Sequence, residues 1–169
     1  MATPKRRNTL RRLEIEPLDA RAARVAALDA LARRDYASGD LRRKLLDKGY
    51  DSSVVAPLLE ALCAEKMVDD RRYAENFVAY RAARGQGPLR VRAELRESGL
   101  PGELVEECLE AYSEWIAQLR KARQKKFGAE LPNNYADKQR QIRSLGYRGF
   151  TSAQIRTALG FDIALDSEI

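Results

Sequence analysis

An all-α chain built from a unit that occurs three times is predicted by this sequence, and three observations carry the prediction. Gly49, Gly99 and Gly149 stand fifty residues apart, each four after a leucine, Leu45, Leu95 and Leu145. Three further columns repeat with the same period and are apolar throughout: Tyr50, Leu100 and Phe150; Val55, Val105 and Ile155; Leu59, Leu109 and Leu159. Finally, apolar residues recur at helical spacing along the whole chain, and no stretch of any length alternates in the manner of a strand.

Each column has a helical reading. A helix carrying the leucine stops at the glycine, which takes the left-handed cap conformation at little cost, and a second helix starts about two residues later. Asp51 and Thr151 are good N-caps, and Gln154 completes a capping box with Thr151. Pro101 takes that place in the second repeat and fits better as a first helical residue. The apolar residue before each cap can staple onto the one five positions on: Tyr50 on Val55, Leu100 on Val105, Phe150 on Ile155. Val55/Leu59, Val105/Leu109 and Ile155/Leu159 are i, i+4 pairs and predict a buried stripe on each second helix. Gly146 weakens the middle helix of the third repeat.

Upstream of each helix pair lies one more helical segment: ARVAALDALARRDY, DRRYAENFVAYRAAR and EWIAQLRKARQKKF. In the second, Tyr73, Phe77 and Tyr80 fall at i, i+4, i+7 on one face. The expected organisation is therefore three three-helix units over 21–67, 69–116 and 117–160, with a basic N-terminal tail over 1–20 and a short acidic tail over 161–169. Tandem units can bury one another's faces, so an elongated, curved array is expected.

Composition narrows the function. The 169 residues are 44% apolar and 33% charged, which suits a folded chain, and Lys and Arg total 31 against 25 acids for a formal charge of +6. Such a balance favours an anionic partner, most often nucleic acid. No apolar run approaches the roughly 18 residues of a membrane span, and no signal-peptide hydrophobic region follows the basic start, so a cytoplasmic protein is expected. Cys63 and Cys108 stand alone in apolar helical patterns and read as buried thiols, without metal or redox work.

The stretch 69–99, DDRRYAENFVAYRAARGQGPLRVRAELRESG, interleaves arginines with aromatics. Arg81 and Arg84 are expected opposite much of the Tyr73/Phe77/Tyr80 face; Gly85 and Gly87 turn the chain, and Pro88 favours a fresh helix start. Arg90, Arg92 and Arg96 follow, so two cationic rows meet at a corner. Glu94 and Glu97 also permit a solvated face laced with ion pairs. The GQGP turn lacks the GK[ST] of a phosphate loop, and no strand precedes it. The third unit is more one-sided: Arg120, Lys121, Arg123, Lys125, Lys126, Lys138, Arg140, Arg143 and Arg148 face only Glu130 and Asp137 across that stretch. Lys5, Arg6, Arg7, Arg11 and Arg12 of the tail either add sequence-blind phosphate contacts or only aid solubility.

Two other classes fit poorly. The second helices of the pairs, SSVVAPLLEALCAEK and GELVEECLEAYSEW, are acidic or apolar and offer few side chains to read bases in a major groove. With no histidine, and only Asp69/Asp70 as a conspicuous acid pair, no catalytic or metal constellation emerges, and that pair reads as a helix cap. No catalysis and no cofactor are expected.

The same residues carry a resemblance. DDRRYAENFVAYRAARGQGPLRVRAELRESG resembles the central block of the RecX family, bacterial regulatory proteins that modulate the RecA recombinase. DYASGDLRRKLLDKGYDSSVVAPLLEALCAEKMVDD is similar to that family's first repeat and RSLGYRGFTSAQIRTAL to its last, so the likeness spans roughly 25–160. ASGDL departs from the family's usual Ser-led cap, placing Ser38 one later and adding Gly39. The resemblance implies a cytosolic, non-enzymatic protein of three three-helix repeats that binds in the groove of the RecA–DNA filament, usually inhibits its activities, and itself binds single- and double-stranded DNA. It implies, too, that Arg81, Arg84, Gly85, Gly87, Pro88 and Arg90, with Tyr73 and Phe77 behind them, form the family's hallmark corner. The expected partner is the RecA filament and the expected state a monomer. A sequence-independent DNA-binding or architectural protein would show the same basic bias and the same repeats.

Overall fold

The computed structural model describes residues 16–160, and among these it holds nine helices and no strand. The first unit comprises α1 (Ala20–Leu31), α2 (Ser38–Asp47) and α3 (Ser52–Ala64); the second α4 (Asp70–Ala83), α5 (Pro88–Glu97) and α6 (Gly102–Ala111); the third α7 (Trp115–Phe127), α8 (Tyr135–Tyr147) and α9 (Ser152–Leu159). The basic and acidic tails expected at the two ends lie, but for residues 16–20, outside the described residues. The chain is thus three three-helix units in tandem. No helix among the described residues is long and apolar enough to cross a membrane.

The fifty-residue columns do the work their pattern implies. Gly49, Gly99 and Gly149 all have positive φ (104°, 83° and 89°). At each, the next residue's amide donates to the leucine carbonyl five positions back: Tyr50 to Leu45 at 3.2 Å, Leu100 to Leu95 at 3.4 Å, Phe150 to Leu145 at 3.3 Å. This is a Schellman closure, made three times. Leu45, Leu95 and Leu145, the staple residues, and the Val/Ile and Leu positions of α3, α6 and α9 are all buried. The next helices are capped as predicted at Asp51, which accepts from the Ser53 amide at 2.8 Å, and at Thr151, whose capping box with Gln154 is complete. Pro101 differs: its ψ of 136° is extended, so α6 begins one residue later at Gly102. Gly146 does not interrupt α8, which runs through it.

Two close approaches join the units. An added Cβ at Gly39, early in α2, would lie 2.5 Å from the Ser98 carbonyl oxygen and 2.8 Å from Gly99 Cα. One at Gly87, the N-cap of α5, would collide with the backbone of Gly149 and Phe150. The starts of α2 and α5 therefore sit against the glycine turn of the following unit. At the second junction the Gly87 amide donates to Arg148 O at 2.7 Å and the Leu89 amide to Gly149 O at 2.9 Å. At the first, Asp70 accepts from both the amide (2.7 Å) and hydroxyl (2.6 Å) of Ser38, and Arg43 donates to Glu97 O at 2.9 Å. Asp69 caps α4 itself, accepting from the Arg72 amide at 3.0 Å, which holds its carboxyl below the usual range.

The core divides unevenly. Units two and three share one buried apolar cluster, running from Ala74 and Val78 through Leu95 and Leu119 to Leu145 and Leu159, and unit one has its own. Only Ala37 of unit one belongs to the shared cluster. Cys108 is buried in it and Cys63 is half-buried; burial pushes both thiols up.

Candidate functional site

The arginines of 69–99 divide into two groups. α4 buries Ala74, Val78 and Ala82, while Tyr73 and Phe77 pack at its edge and Tyr80 is exposed. Arg81 and Arg84 lie beside the aromatics, not opposite them, because each sits four residues after its ring: the Arg81 guanidinium is 4.8 Å from the Phe77 centroid, and that of Arg84 5.4 Å from Tyr80. Arg81 then reaches Glu94 at 2.8 Å, and Arg90 reaches the same carboxylate at 3.2 Å. Arg92 forks onto Glu106 of α6 through Nε at 2.8 Å and Nη2 at 2.8 Å, and Arg96 adds a further bond at 2.8 Å. Arg92, then Arg96, hold the Glu106 carboxyl below its ordinary value. Of the seven arginines in the stretch, Arg71 (to Glu107), Arg81, Arg92 and Arg96 tie α4, α5 and α6 together, Arg90 pairs within α5 and Arg72 lies 3.9 Å from Asp35, in line with the solvated, ion-paired face.

Arg84 is the exception, and it opens onto a cleft. This cleft, about 570 Å³, lies between the second and third units, with Ala83, Arg84 and Gly85 on one wall and Gln118, Lys121, Ala122, Lys125 and Lys126 of α7 on the other. Arg148 closes it, donating to Gly85 O at 3.3 Å. A shallower groove continues past Lys126 and Arg148 to Arg140, Arg143, Ser144 and Tyr147 on α8. Neither surface has an acidic residue in its lining, and among the described residues no carboxylate pairs with Arg84, Lys121, Lys125, Lys126, Arg143 or Arg148. Only Arg140 has an acidic partner, Asp137 at 3.0 Å. Clustered, uncompensated cations repel one another, a cost that a polyanion removes.

Burial decides the remaining candidates. Arg123 is 5% exposed: its Nε donates to Gln141 Oε1 at 2.9 Å and its other nitrogens to the carbonyls of Ala129 and Glu130, so it braces the α7–α8 connection from inside. Arg120 is exposed but outside the cleft lining. Gly85, Gly87 and Pro88 are buried, and they form the turn that brings Arg84 against α7. Tyr147, 84% exposed in the α8 groove, was not apparent in the sequence as a member of the site, and nor was Tyr80, 56% exposed, whose hydroxyl accepts from Arg84 at 3.0 Å. The first unit's counterpart is different in character, since Arg34, Arg43, Lys44 and Lys48 share their hollow with Asp40 and Asp47. No group of His, Cys, Asp and Glu that could hold a metal ion occurs among the described residues.

Comparison with known proteins gives this architecture its relatives. Family models described as the first, second and third three-helix domains of RecX match residues 23–62, 69–109 and 113–159. A "Regulatory protein RecX" from Halorhodospira halophila is 44% identical over 81% of this chain and 86% of its own length. One from Ectopseudomonas mendocina is 39% identical over 77% and 87%. The crystal structure of RecX from Lactobacillus salivarius shares the fold with a TM-score of 0.72, at 19% identity over 84% of this chain and 95% of that one. A second structure, of "regulatory protein RecX", superposes with a TM-score of 0.69 at 20% identity, over 83% of this chain and 72% of its own. With all three domains matched in order across the three units, each carrying one of the glycine turns, the chain belongs to the RecX family of regulatory proteins.

Proposed function

We propose that this chain regulates the RecA recombinase by occupying its DNA filament, and that it lowers the filament's ATPase, strand-exchange and coprotease activities in DNA repair and the SOS response. It acts as a cytoplasmic monomer without cofactor or catalysis of its own. The observation that carries the reading is the acid-free cleft between units two and three, whose unpaired cations face outward and fit a phosphate backbone. Family membership supports a regulatory role, and the relatives are named as regulatory proteins. Held against DNA inside a polymer of recombinase subunits, a chain with one such cleft obstructs the subunit movements that ATP turnover and strand pairing require.

The test is RecA's single-stranded-DNA-dependent ATPase on preformed filaments, titrated with this protein in the presence of enough free DNA to absorb simple competition. Loss of activity well below one molecule per recombinase subunit supports filament-directed regulation. An unchanged ATPase beside tight, salt-sensitive binding to bare DNA favours a sequence-independent DNA-binding protein and overturns the proposal. With five cleft cations on phosphate, the logarithm of single-strand affinity falls with the logarithm of salt at a slope of about −3.5.

A further inference from the structure

Phosphate-binding cations give no preference for one strand over two, because both polymers present phosphates and the duplex carries about twice the charge per length. The tyrosines at the cleft do. Tyr147, at the end of α8, is 84% exposed and stands in the groove beside Arg143 and Arg148. Tyr80 lies outside the cleft lining but is joined to it by Arg84, whose Nη1 donates to its hydroxyl at 3.0 Å and whose guanidinium is 5.4 Å from the ring centroid; the residue is still 56% exposed. Open rings next to unpaired cations are the equipment of single-strand binding: cations track the backbone while unpaired bases lie on the rings. A duplex keeps its base faces stacked inside and gives such rings nothing to hold. The first unit makes the contrast, since Tyr36 is only 9% exposed, with Arg34 4.1 Å from its ring centroid, so little ring remains for a base.

We propose that Tyr147 and Tyr80 form a stacking platform for unpaired bases, so that the cleft takes a single strand of DNA in preference to duplex. The inference rests on the phosphate-binding reading of the cleft and adds a base-stacking subsite to it. Stacking is indifferent to base identity, so the site follows no sequence and discriminates by strandedness alone. The strand's phosphates lie along Lys121, Lys125 and Arg148, and bases lie on the exposed faces of the rings, on Tyr80 the face away from Arg84.

Fluorescence anisotropy of the full chain with three labelled ligands of equal length tests it: a thymidine oligomer, a duplex, and an abasic strand that keeps the phosphates and lacks the bases. Tyr147→Ala is expected to weaken thymidine-oligomer binding about 5- to 100-fold and to leave duplex and abasic-strand binding within about twofold of wild type. Tyr147→Phe retains full affinity because the ring remains. Tyr135→Ala, at a residue 75% exposed at the other end of α8, changes none of the three. Equal loss on all three ligands, or no loss on the thymidine oligomer, overturns the platform. Lys121→Glu with Lys125→Glu separates the two levels. If that variant loses affinity for every ligand while Tyr147→Ala loses none, the cationic cleft stands and the platform falls; if it loses none, the cleft reading itself has failed.

Discussion

Replacing Gly87 by alanine is expected to unhook the second unit from the third. Gly87 has φ −90° and ψ 168°, which alanine adopts freely, so backbone strain plays no part. The cost comes from contact: the new Cβ would meet the Gly149–Phe150 backbone within 3.0 Å, and backbone cannot swing aside as a side chain tip can. Overpacking of that kind costs about 1 to 3 kcal/mol if the junction holds. If it opens instead, the Gly87–Arg148 and Leu89–Gly149 hydrogen bonds go, again about 1 to 3 kcal/mol. Alanine is also a poorer helix-capping residue than glycine, by about 0.5 to 1 kcal/mol, and the total is about 2 to 4 kcal/mol. Two controls frame it. Gly49→Ala, at φ 104° with nothing within 4 Å, pays only the left-handed conformation, about 1 to 2 kcal/mol. Gly102→Ala, at ordinary φ in open space, is neutral or gains up to about 1 kcal/mol. Urea unfolding followed by circular dichroism ranks the three. DNA binding is expected to fall for Gly87→Ala alone, because the two cleft walls belong to the two separated units. A Gly87→Ala protein with the wild-type unfolding midpoint refutes the reasoning.

Arg84→Glu is expected to weaken DNA binding and leave the melt unchanged, whereas Arg81→Glu, which sets a carboxylate against Glu94, lowers the melting temperature; calorimetry beside anisotropy distinguishes them. Leu95→Ala, fully buried in the shared cluster, costs about 2 to 5 kcal/mol in urea unfolding. Arg123→Ala strands Gln141 and two backbone carbonyls and costs about 1 to 3 kcal/mol by the same measurement, with no fold-specific change in salt slope beyond that of the cleft. Glu106 has a carboxyl depressed in the folded state, so the stability it contributes is complete above its ordinary value of 4.5 and is lost as pH falls through the folded value; Glu106→Gln therefore shows a shallower acid loss of the urea midpoint than wild type, and identical profiles refute the assignment.

The fold was readable because its punctuation is periodic. Three glycine turns and their apolar columns align without gaps, and each column ends up buried for the packing reason its spacing implies. The junctions were not readable: Gly39 and Gly87 are forty-eight residues apart, not fifty, so they fall out of the register that reveals everything else. Ser38 looked like a displaced cap, yet its acceptor is Asp70 from the next unit, a partner no local pattern supplies. Within the site, Arg92 and Glu106 pair across fourteen residues and two helices, beyond the reach of i, i+4 reasoning. Arg123 shows the same limit from the other side. Arg120, Lys121, Lys125 and Lys126 nearby in the same helix face solvent, but α7 turns this one cation inward, onto carbonyls that only the folded connection brings within reach.

The close approach at the junctions also governs how the units can move. At Gly39 against Ser98–Gly99 and at Gly87 against Gly149–Phe150, backbone lies on backbone with no side chain between. A change of rotamer therefore cannot take up a shift between neighbouring units, and relative motion has to break the hydrogen bonds that close each junction.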